Sequence, residues 1–129
     1  MKKLFLLFNH SLTAEQEADA RISLCVEQIV TAPKEIAGIW AQLPPDIESL
    51  VPYLQPIRTW LETETRPGDI VLVQGDFGAV YLMVVFLKEI GCVPVYATTR
   101  RKAVERLLDD GTVELSHSFR HVRFRKYGF

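Results

Sequence analysis

The feature that most constrains the fold is a set of short, continuously apolar segments, each followed by residues that favour turns. Such segments occur at 2–8, 70–74 and 93–97. A short apolar run without alternation is typical of a strand buried on both faces, as in a parallel sheet. Stretches with helical spacing of apolar residues separate these runs. The order predicts βαβ units, and therefore a mostly parallel, Rossmann-like α/β sheet flanked by helices.

The first half of the chain predicts two strands and two helices with a helical turn between them. The predicted strands are 2–8 and 27–32, the helices 14–25 and 46–64 (with Asp46 as N-cap), and the turn lies around Ile36, Ile39 and Trp40 within 33–45. Thr13 and Gln16 have the spacing of a capping box, which marks the start of the first helix. Pro52 and Pro56 lie inside the second helix, and Pro56 is expected to kink or divide it.

The second half of the chain predicts the clearest elements. The predicted strands are 70–74 and 93–97, with a helix at 79–90 between them. Gly91 stands where a C-cap glycine belongs. Asp110-Gly111 is a strong signal for a β-hairpin, with arms at 104–108 and 112–115. The competing interpretation makes 101–109 a helix.

The C-terminal tail alternates apolar and basic residues. This period of two is typical of a strand with one face toward a core. Val122, Phe124 and the ring of Tyr127 are predicted to face that core. His121, Arg123 and Arg125 are then expected to share the opposite face.

Composition and charge bound the function. The chain has 129 residues, 48% of them hydrophobic, which suits a single domain over 1–129 with its own core. Residues 1–98 have a net charge of −5, whereas residues 99–129 have a net charge of +4. The chain therefore lacks the overall positive charge that is typical of proteins that bind duplex DNA. An anionic partner is expected at the C-terminal quarter.

Cysteine usage and hydropathy indicate a cytoplasmic protein. Cys25 and Cys92 are too few for a disulfide framework or a zinc site, and both are expected to be buried free thiols. The apolar run at 4–8 is too short for a signal peptide. The longest apolar run, 79–87, is too short to span a bilayer as a helix. No membrane association is expected.

Polar residues follow three of the predicted strands, at the edge where open α/β sheets bind ligands. They are Asn9, His10 and Ser11 after the first strand, Gln74, Gly75, Asp76, Phe77 and Gly78 after the third, and Thr98, Thr99, Arg100 and Arg101 after the fourth. Amides at a glycine-containing turn before a helix bind anions, and arginine pairs with phosphate. The competing interpretations are structural: Asp76 as a helix N-cap, and solvated loops for the other two clusters.

Several familiar sites are missing. No Gly-x-Gly-x-x-Gly follows the first strand, no Gly-x-Ser-x-Gly is present, and Asp76-Phe77-Gly78 lacks the remaining kinase motifs. His10, His117 and His121 are too scattered for a metal-ligand pattern. The sequence therefore predicts an anionic, nucleotide-like ligand bound without metal or cofactor.

Four segments together resemble a small stand-alone Csx family of CRISPR-associated proteins from type III loci, related in fold to the CARF domain. They are 4–10, 73–79, 96–100 and 119–127. The resemblance implies a CARF-like fold, a homodimer, and a ring nuclease that cleaves cyclic oligoadenylate, in particular cyclic tetra-adenylate. Cleavage of this messenger switches off antiviral signalling.

The resemblance and the chemistry of RNA together suggest roles for the candidate residues. The 2′-hydroxyl of RNA is an internal nucleophile, so cleavage needs in-line positioning and charge stabilisation rather than a metal. Arg100 or Arg101 is expected to stabilise the charge, and His10 or His121 to transfer the proton. The expected phosphate and ribose contacts are Asn9, Ser11, Gln74, Gly75, Asp76, Phe77, Gly78, Thr98, Thr99 and Arg123. The product carries a 2′,3′-cyclic phosphate.

Three alternatives remain open at this point. The first is a sensor or sponge that binds the ring without cleaving it. The second is a metal-dependent phosphoesterase that uses Asp76. The third is a protein that binds linear single-stranded RNA through the basic tail, with bases stacked on Phe124 and Tyr127.

Overall fold

The computed structural model describes residues 1–128, which form one curled five-stranded sheet with helices on both faces. The elements in chain order are β1 (Lys3–Leu7), α1 (Ala14–Ser23), β2 (Gln28–Thr31), α2 (Lys34–Ala41), α3 (Gln55–Glu64), β3 (Ile70–Val73), α4 (Phe77–Glu89), β4 (Val93–Leu107) and β5 (Val113–Lys126). The strand order is β2-β1-β3-β4-β5. The first four strands are parallel, and β5 is antiparallel to β4. The predicted α/β class and C-terminal hairpin are confirmed.

Both faces of the central strands are buried, which explains their continuous apolar sequence. On one face, Leu4 of β1 packs in a cluster with Ala20 of α1 and with Phe124 of β5. On the other face, Phe5 of β1 belongs to a larger cluster built from α2, α3 and α4. α1 therefore covers one side of the sheet, and the other three helices cover the opposite side.

The first helix follows its sequence signal closely at the start and less closely at the end. Gln16 donates its backbone amide to the Thr13 hydroxyl (3.1 Å), and Thr13 donates its amide to the Gln16 side chain (3.0 Å). This capping box was predicted. The helix ends at Ser23 instead of 25 because Cys25 adopts a left-handed conformation with φ of 56°.

The segment between β2 and β3 differs most from its prediction. Residues 34–41 form a full helix, α2, rather than a single turn. The helix predicted from Asp46 begins only at Gln55, with Pro56 in its first turn. A proline is tolerated there because the first amides of a helix have no intrahelical acceptor. Pro56 thus starts α3 instead of kinking it.

The hairpin is much longer than predicted. β4 does not end at 97 but continues through Thr98–Arg101 to Leu107, because β5 pairs with it along its whole length. Gly111 has a φ of 85° and supplies the left-handed residue that the turn at Asp110-Gly111 needs. The competing helix over 101–109 does not form.

The two cysteines occupy different environments. Cys92 is buried, as predicted, and burial raises the pKa of its thiol. Cys25 is exposed, so the expectation of a second buried thiol is wrong. Cys25 lies in the turn after α1, outside both clusters. Among the described residues, no helix combines the length and apolar character needed to cross a membrane.

Asp69 ties the N-terminal edge of the sheet together, and we predict that Asp69→Ala destabilises the fold. Its carboxylate is 4% exposed and accepts backbone amides from Lys3 (3.1 Å) and Arg66 (2.9 Å). Truncation leaves these donors without their acceptor, which costs about 1–3 kcal/mol. Urea denaturation measures the loss, and the exposed Asp46 provides the matched control, Asp46→Ala. Equal stabilities of the two variants would contradict this role.

Candidate functional site

Gln74 holds the end of β3 in place and is not free to bind a ligand through its amide oxygen. Its Oε1 accepts the backbone amide of Ala97 on β4 (2.7 Å). Its own carbonyl accepts the indole Nε1–H of Trp40 on α2 (2.9 Å). Gln74 therefore fixes the turn after β3 against β4, and its predicted contact with ligand stays a prediction.

The turn after β3 leads directly into α4 and exposes backbone to solvent. A side chain at Gly75 would place its Cβ 2.9 Å from the Trp40 Nε1, so only glycine fits without moving that ring. Asp76 caps α4 by accepting the amide of Ala79 (3.0 Å), which is the structural alternative considered for it. Phe77 follows with its side chain 95% exposed, and Gly78 is also exposed.

The register of β4 against β5 divides the candidate residues between two faces of the hairpin. Residues paired directly across antiparallel strands share a face, and neighbours in a strand alternate. We call one side the cationic face: Tyr96, Thr98, Arg100, Lys102, Val104, Arg106, Glu114, Ser116, Ser118, Arg120, Arg123 and Arg125. We call the other the apolar face: Thr99, Arg101, Ala103, Glu105, Leu107, Val113, Leu115, His117, Phe119 and His121.

The cationic face is organised near the sheet and open farther out. Arg125 donates to the Tyr96 hydroxyl (3.0 Å) and lies 5.5 Å from its ring centroid. The Thr98 hydroxyl donates to the Arg123 carbonyl (3.1 Å) and accepts the Arg123 amide (3.2 Å). Arg100 and Lys102 are exposed two residues apart on β4, a spacing of about 7 Å. Arg100, Lys102 and Arg125 therefore line one surface. Arg123 is paired with Thr98 on the same face, but its Nε–H donates to the Phe124 carbonyl (3.4 Å) and its charge lowers the pKa of Asp19 on α1.

Arg120 and Arg106 contribute less to this surface. Arg120 is paired with Arg100 in the register, but its guanidinium Nε lies 3.5 Å from the Glu15 carboxylate on α1. Arg106 is paired with Glu114 near the tip of the hairpin. The unopposed positive charge is thus concentrated at the base of the hairpin.

The base of the cationic face adjoins the turn after β3. Gln74 and Ala97 lie side by side, as their hydrogen bond requires, so the next residues, Gly75 and Thr98, are neighbours too. Leu7 pairs with Val73, so two residues farther on, Asn9 comes level with Gly75. The parallel registers thus direct the chain ends after β1, β3 and β4 to the same edge of the sheet, and the convergence of Asn9 with the cationic face stays a prediction.

His10 and Ser11 belong to a different feature. They line a cleft of about 500 Å³ between the ends of β1 and β2 and helix α1. Arg21 in this cleft is engaged by Glu17 (3.2 Å) and by the carbonyl of Glu27 (2.9 Å). β3 separates β1 from β4 in the sheet. His10 therefore does not share the surface of Arg100 but lies two strands away.

His121 is on the opposite side from the arginines, which corrects the prediction that it shares a face with Arg123. The register shifts between Thr98 and Thr99, which leaves Val122 as an extra residue and reverses the alternation along β5. His121 consequently packs against Phe124, with ring centroids 4.8 Å apart, and its Nε2 lies 2.6 Å from the Asp19 carboxylate. Val122 is exposed instead of facing the core.

The His121–Asp19 pair is a buried contact between the hairpin and α1. The His121 side chain is only 5% exposed, and that of Asp19 is 22% exposed. The hydrogen bond from Ser23 lowers the pKa of Asp19, partial burial opposes this effect, and His121 lowers the pKa further. The Nδ1 atom of His121 is buried and has no hydrogen-bond partner among the described residues. This histidine cannot reach a ligand on the cationic face.

Arg101 and Thr99 also lie on the apolar face. Arg101 donates its Nε–H to the Nδ1 atom of His117 (3.3 Å). Neither residue joins the surface that contains Arg100, because alternation along β4 points them the other way. Sequence reasoning missed Lys102, Arg125 and Tyr96. The signal was present as continued alternation after 97, but the predicted strand ended there.

Tyr127 packs against Tyr96 and the end of β3. Its ring lies 4.8 Å from that of Tyr96, and its hydroxyl donates to the Val73 carbonyl at the end of β3. Burial raises the pKa of Tyr127. It therefore packs on the α2–α4 side of the sheet, whereas Phe124 packs on the α1 side, so the predicted shared face is wrong.

Comparisons with known proteins cover nearly the whole chain. The model of a family described as "Uncharacterized protein MJ1673 family" matches residues 2–125. A protein of Methanocaldococcus jannaschii, described as "Uncharacterized protein MJ1673", is 45% identical over 127 residues, which cover 98% of each chain. No solved structure matches the chain. The matched residues include the parallel strands, the turn after β3 and nearly all of the hairpin.

We predict that Asp19 stabilises the fold in a pH-dependent way. Its pKa in the folded state is below the ordinary value of 3.8, so its stabilisation is complete above that pH and is lost as the pH falls through the folded value. Asp19→Asn should lower the free energy of unfolding at pH 7 by about 1 kcal/mol. The difference from the parent should shrink below pH 3.8.

Urea denaturation at several pH values between 7 and 3 measures this difference. Asp46→Asn, on an exposed turn, is the matched control and should show no such trend. A constant difference between Asp19→Asn and the parent over this range would contradict the assignment.

Proposed function

This chain belongs to the MJ1673 family, and we propose that it binds cyclic oligoadenylate and opens the ring as a metal-independent ring nuclease. The observation that carries the proposal is the gathering of Arg100, Lys102 and Arg125 on one face beside the turn at Gly75. The resemblance to the stand-alone Csx family, with its CARF-like form of the Rossmann-like fold, supplies the identity of the ligand. A ring of adenylates is an anion at every nucleotide, which suits this face.

The binding chemistry can be assigned to particular groups. The guanidinium groups of Arg100 and Arg123 donate paired hydrogen bonds to phosphate oxygens. The Asp76 carboxylate takes the Ala79 amide, so a second phosphate at the amino end of α4 would bind the amides of Phe77 and Gly78. Phe77, exposed at that end, offers a ring on which an adenine stacks. Asn9 and Gly75 then border the ribose.

The reaction uses a nucleophile that the ligand itself provides. The ribose 2′-oxygen attacks the adjacent phosphorus, the P–O2′ bond forms, and the P–O5′ bond breaks. The proton of the 2′-hydroxyl is removed, and the 5′-oxygen receives a proton as it leaves. Arg100 stabilises the negative charge that develops on the phosphorus oxygens. The product is a linear oligoadenylate with a 2′,3′-cyclic phosphate.

The positions of His10 and His121 in the fold decide which of them remains a candidate for proton transfer. His121 is bonded to Asp19 on the other side of the hairpin, so it has no part in this step. His10, exposed at the end of β1, lies two strands from Arg100, so it is the remaining candidate of the two only for a ring that spans the strand ends from the cationic face to β1. We therefore expect His10→Ala to slow cleavage more than it weakens binding.

A non-catalytic binder of the same ring is the second candidate, and one observation favours it. Gln74 and Asp76, the polar side chains nearest the cationic face at the end of β3, are committed to hydrogen bonds within the fold. A site that has cations but few free acid–base groups can retain an anion without cleaving it. Binding without turnover would make the protein a sensor or sponge.

Incubation with labelled cyclic tetra-adenylate, with and without EDTA, tests the proposal. Linear products with a 2′,3′-cyclic phosphate in the presence of EDTA are expected. Binding of an intact ring would support the second candidate. Cleavage that EDTA abolishes would indicate a metal-dependent phosphoesterase. Absence of both binding and cleavage, with the six-membered ring as well, would overturn both candidates, and tight binding of linear RNA instead would favour the basic tail.

We predict that Arg100→Ala weakens binding of the ring by about tenfold or more, because a charged hydrogen bond to phosphate is lost. Arg101→Ala is the matched control, since this neighbour lies on the apolar face and should bind the ring as the parent does. Equilibrium binding at two salt concentrations measures both variants. Equal losses from Arg100→Ala and Arg101→Ala would contradict the assignment of the faces.

A further inference from the structure

A groove of about 160 Å³ lies between α3 and α4, on the side of the sheet away from α1. Its walls are mostly apolar, with Val51 and Leu54 on the α3 side and Leu82, Val85 and Phe86 on the α4 side. A cavity of about 150 Å³ is large enough to hold one benzene ring. The groove therefore has room for an aromatic ring or for a branched aliphatic group of similar size.

Arg58 of α3 adds a positive charge to this apolar groove. Its guanidinium carbon lies 4.7 Å from the centroid of the buried Phe86 ring, which is a cation–π contact. The residue is half-buried, and none of the ion pairs within residues 1–128 includes it. A partly desolvated guanidinium without an anionic partner is suited to bind a carboxylate, since the two planar groups form paired hydrogen bonds.

We propose that this groove is a binding site for a small monocarboxylate with an aromatic or branched aliphatic body. The body packs against Leu54, Leu82 and Val85. The carboxylate accepts paired hydrogen bonds from the guanidinium of Arg58. Because Phe86 already restrains that guanidinium, less side-chain entropy is lost when the ligand binds.

Glu89 determines how much charge the ligand can carry. It lines the groove from α4, one helical turn after Val85, so both lie on the same side of the helix. A second negative charge on the ligand would be repelled by this carboxylate. A single negative charge on an apolar body therefore suits the groove better than a dicarboxylate or a phosphate monoester does.

The groove is separate from the site of the proposed function. It lies between α3 and α4, whereas Arg100 and Lys102 lie on the hairpin. Of the described residues that line the groove, none is assigned to cyclic oligoadenylate. Either proposal can therefore fail without the other.

Titration of the isotope-labelled full-length chain with phenylacetate, followed by NMR, tests the proposal. Phenylacetamide is the matched probe, because it has the same size and no charge. Phenylacetate should bind with a dissociation constant of about 1 mM, as expected for a ligand of this size, and should shift the amide signals of α3 and α4. Phenylacetamide should bind about fivefold more weakly, because it lacks the charged hydrogen bonds.

Two substitutions in the groove should act in opposite directions. Arg58→Met keeps an unbranched apolar side chain beside Phe86 but removes the charge, so phenylacetate should bind about tenfold more weakly while binding of phenylacetamide is unchanged. Glu89→Gln removes the opposing carboxylate and should strengthen binding of phenylacetate about twofold. Arg66→Gln is the matched control, since this exposed arginine follows α3 outside the groove and should bind both probes as the parent does.

Circular dichroism checks that each variant folds. Val85→Trp provides a second test that leaves Arg58 intact, because it fills the groove from a position that is 41% exposed, and it should abolish binding of both probes. Equal affinity of the parent for the two probes would overturn the proposal. Absence of shifts in α3 and α4 at about 10 mM phenylacetate would also overturn it, as would shifts confined to the cationic face.

Discussion

The pairing of β4 with β5 is the interaction on which the site depends. Within the parallel sheet, β1 and β3 are fixed by two buried faces. Beyond Ala97, the hairpin has only its own ladder to define which side chains point where. A slip of one residue would move every arginine to the other face. The bulge at Val122 and the contact of His121 with Asp19 prevent that slip, because they anchor β5 to α1 at one register.

The same anchoring explains why the residues at the strand ends divide into two kinds. Gln74 and Thr98 are half-buried polar residues whose hydrogen bonds hold the rim together, whereas the exposed Asp76 caps α4. Buried or half-buried polar groups require such partners. Arg100 and Lys102, farther along β4, are exposed and have no such duty in the fold. Hydrogen-bonded residues at the strand ends thus lie beside exposed cations farther along β4.

The sequence allowed much of the fold to be predicted, and the failures have physical causes. Runs such as 70–74 have few alternatives to a buried strand, and the Thr13–Gln16 capping box is a local signal that tertiary contacts did not override. The segment 46–54 was predicted as helix because its apolar spacing is helical, but its prolines favour a start at Gln55. The residue types were enough to predict the candidate residues. The face of the hairpin on which each lies could not be predicted, because alternation in the sequence does not show a bulge such as that at Val122.

On this hairpin, exposed cations and apolar side chains lie mostly on opposite faces, so apolar side chains can be buried while the cations stay in water. Desolvating an arginine beside an apolar partner is costly, whereas the same arginine in water retains its hydration until an anion replaces it. Alternation along β4 places Arg100 and Lys102 on one side and Ala103 and Leu107 on the other, so burial of the second pair leaves the first exposed.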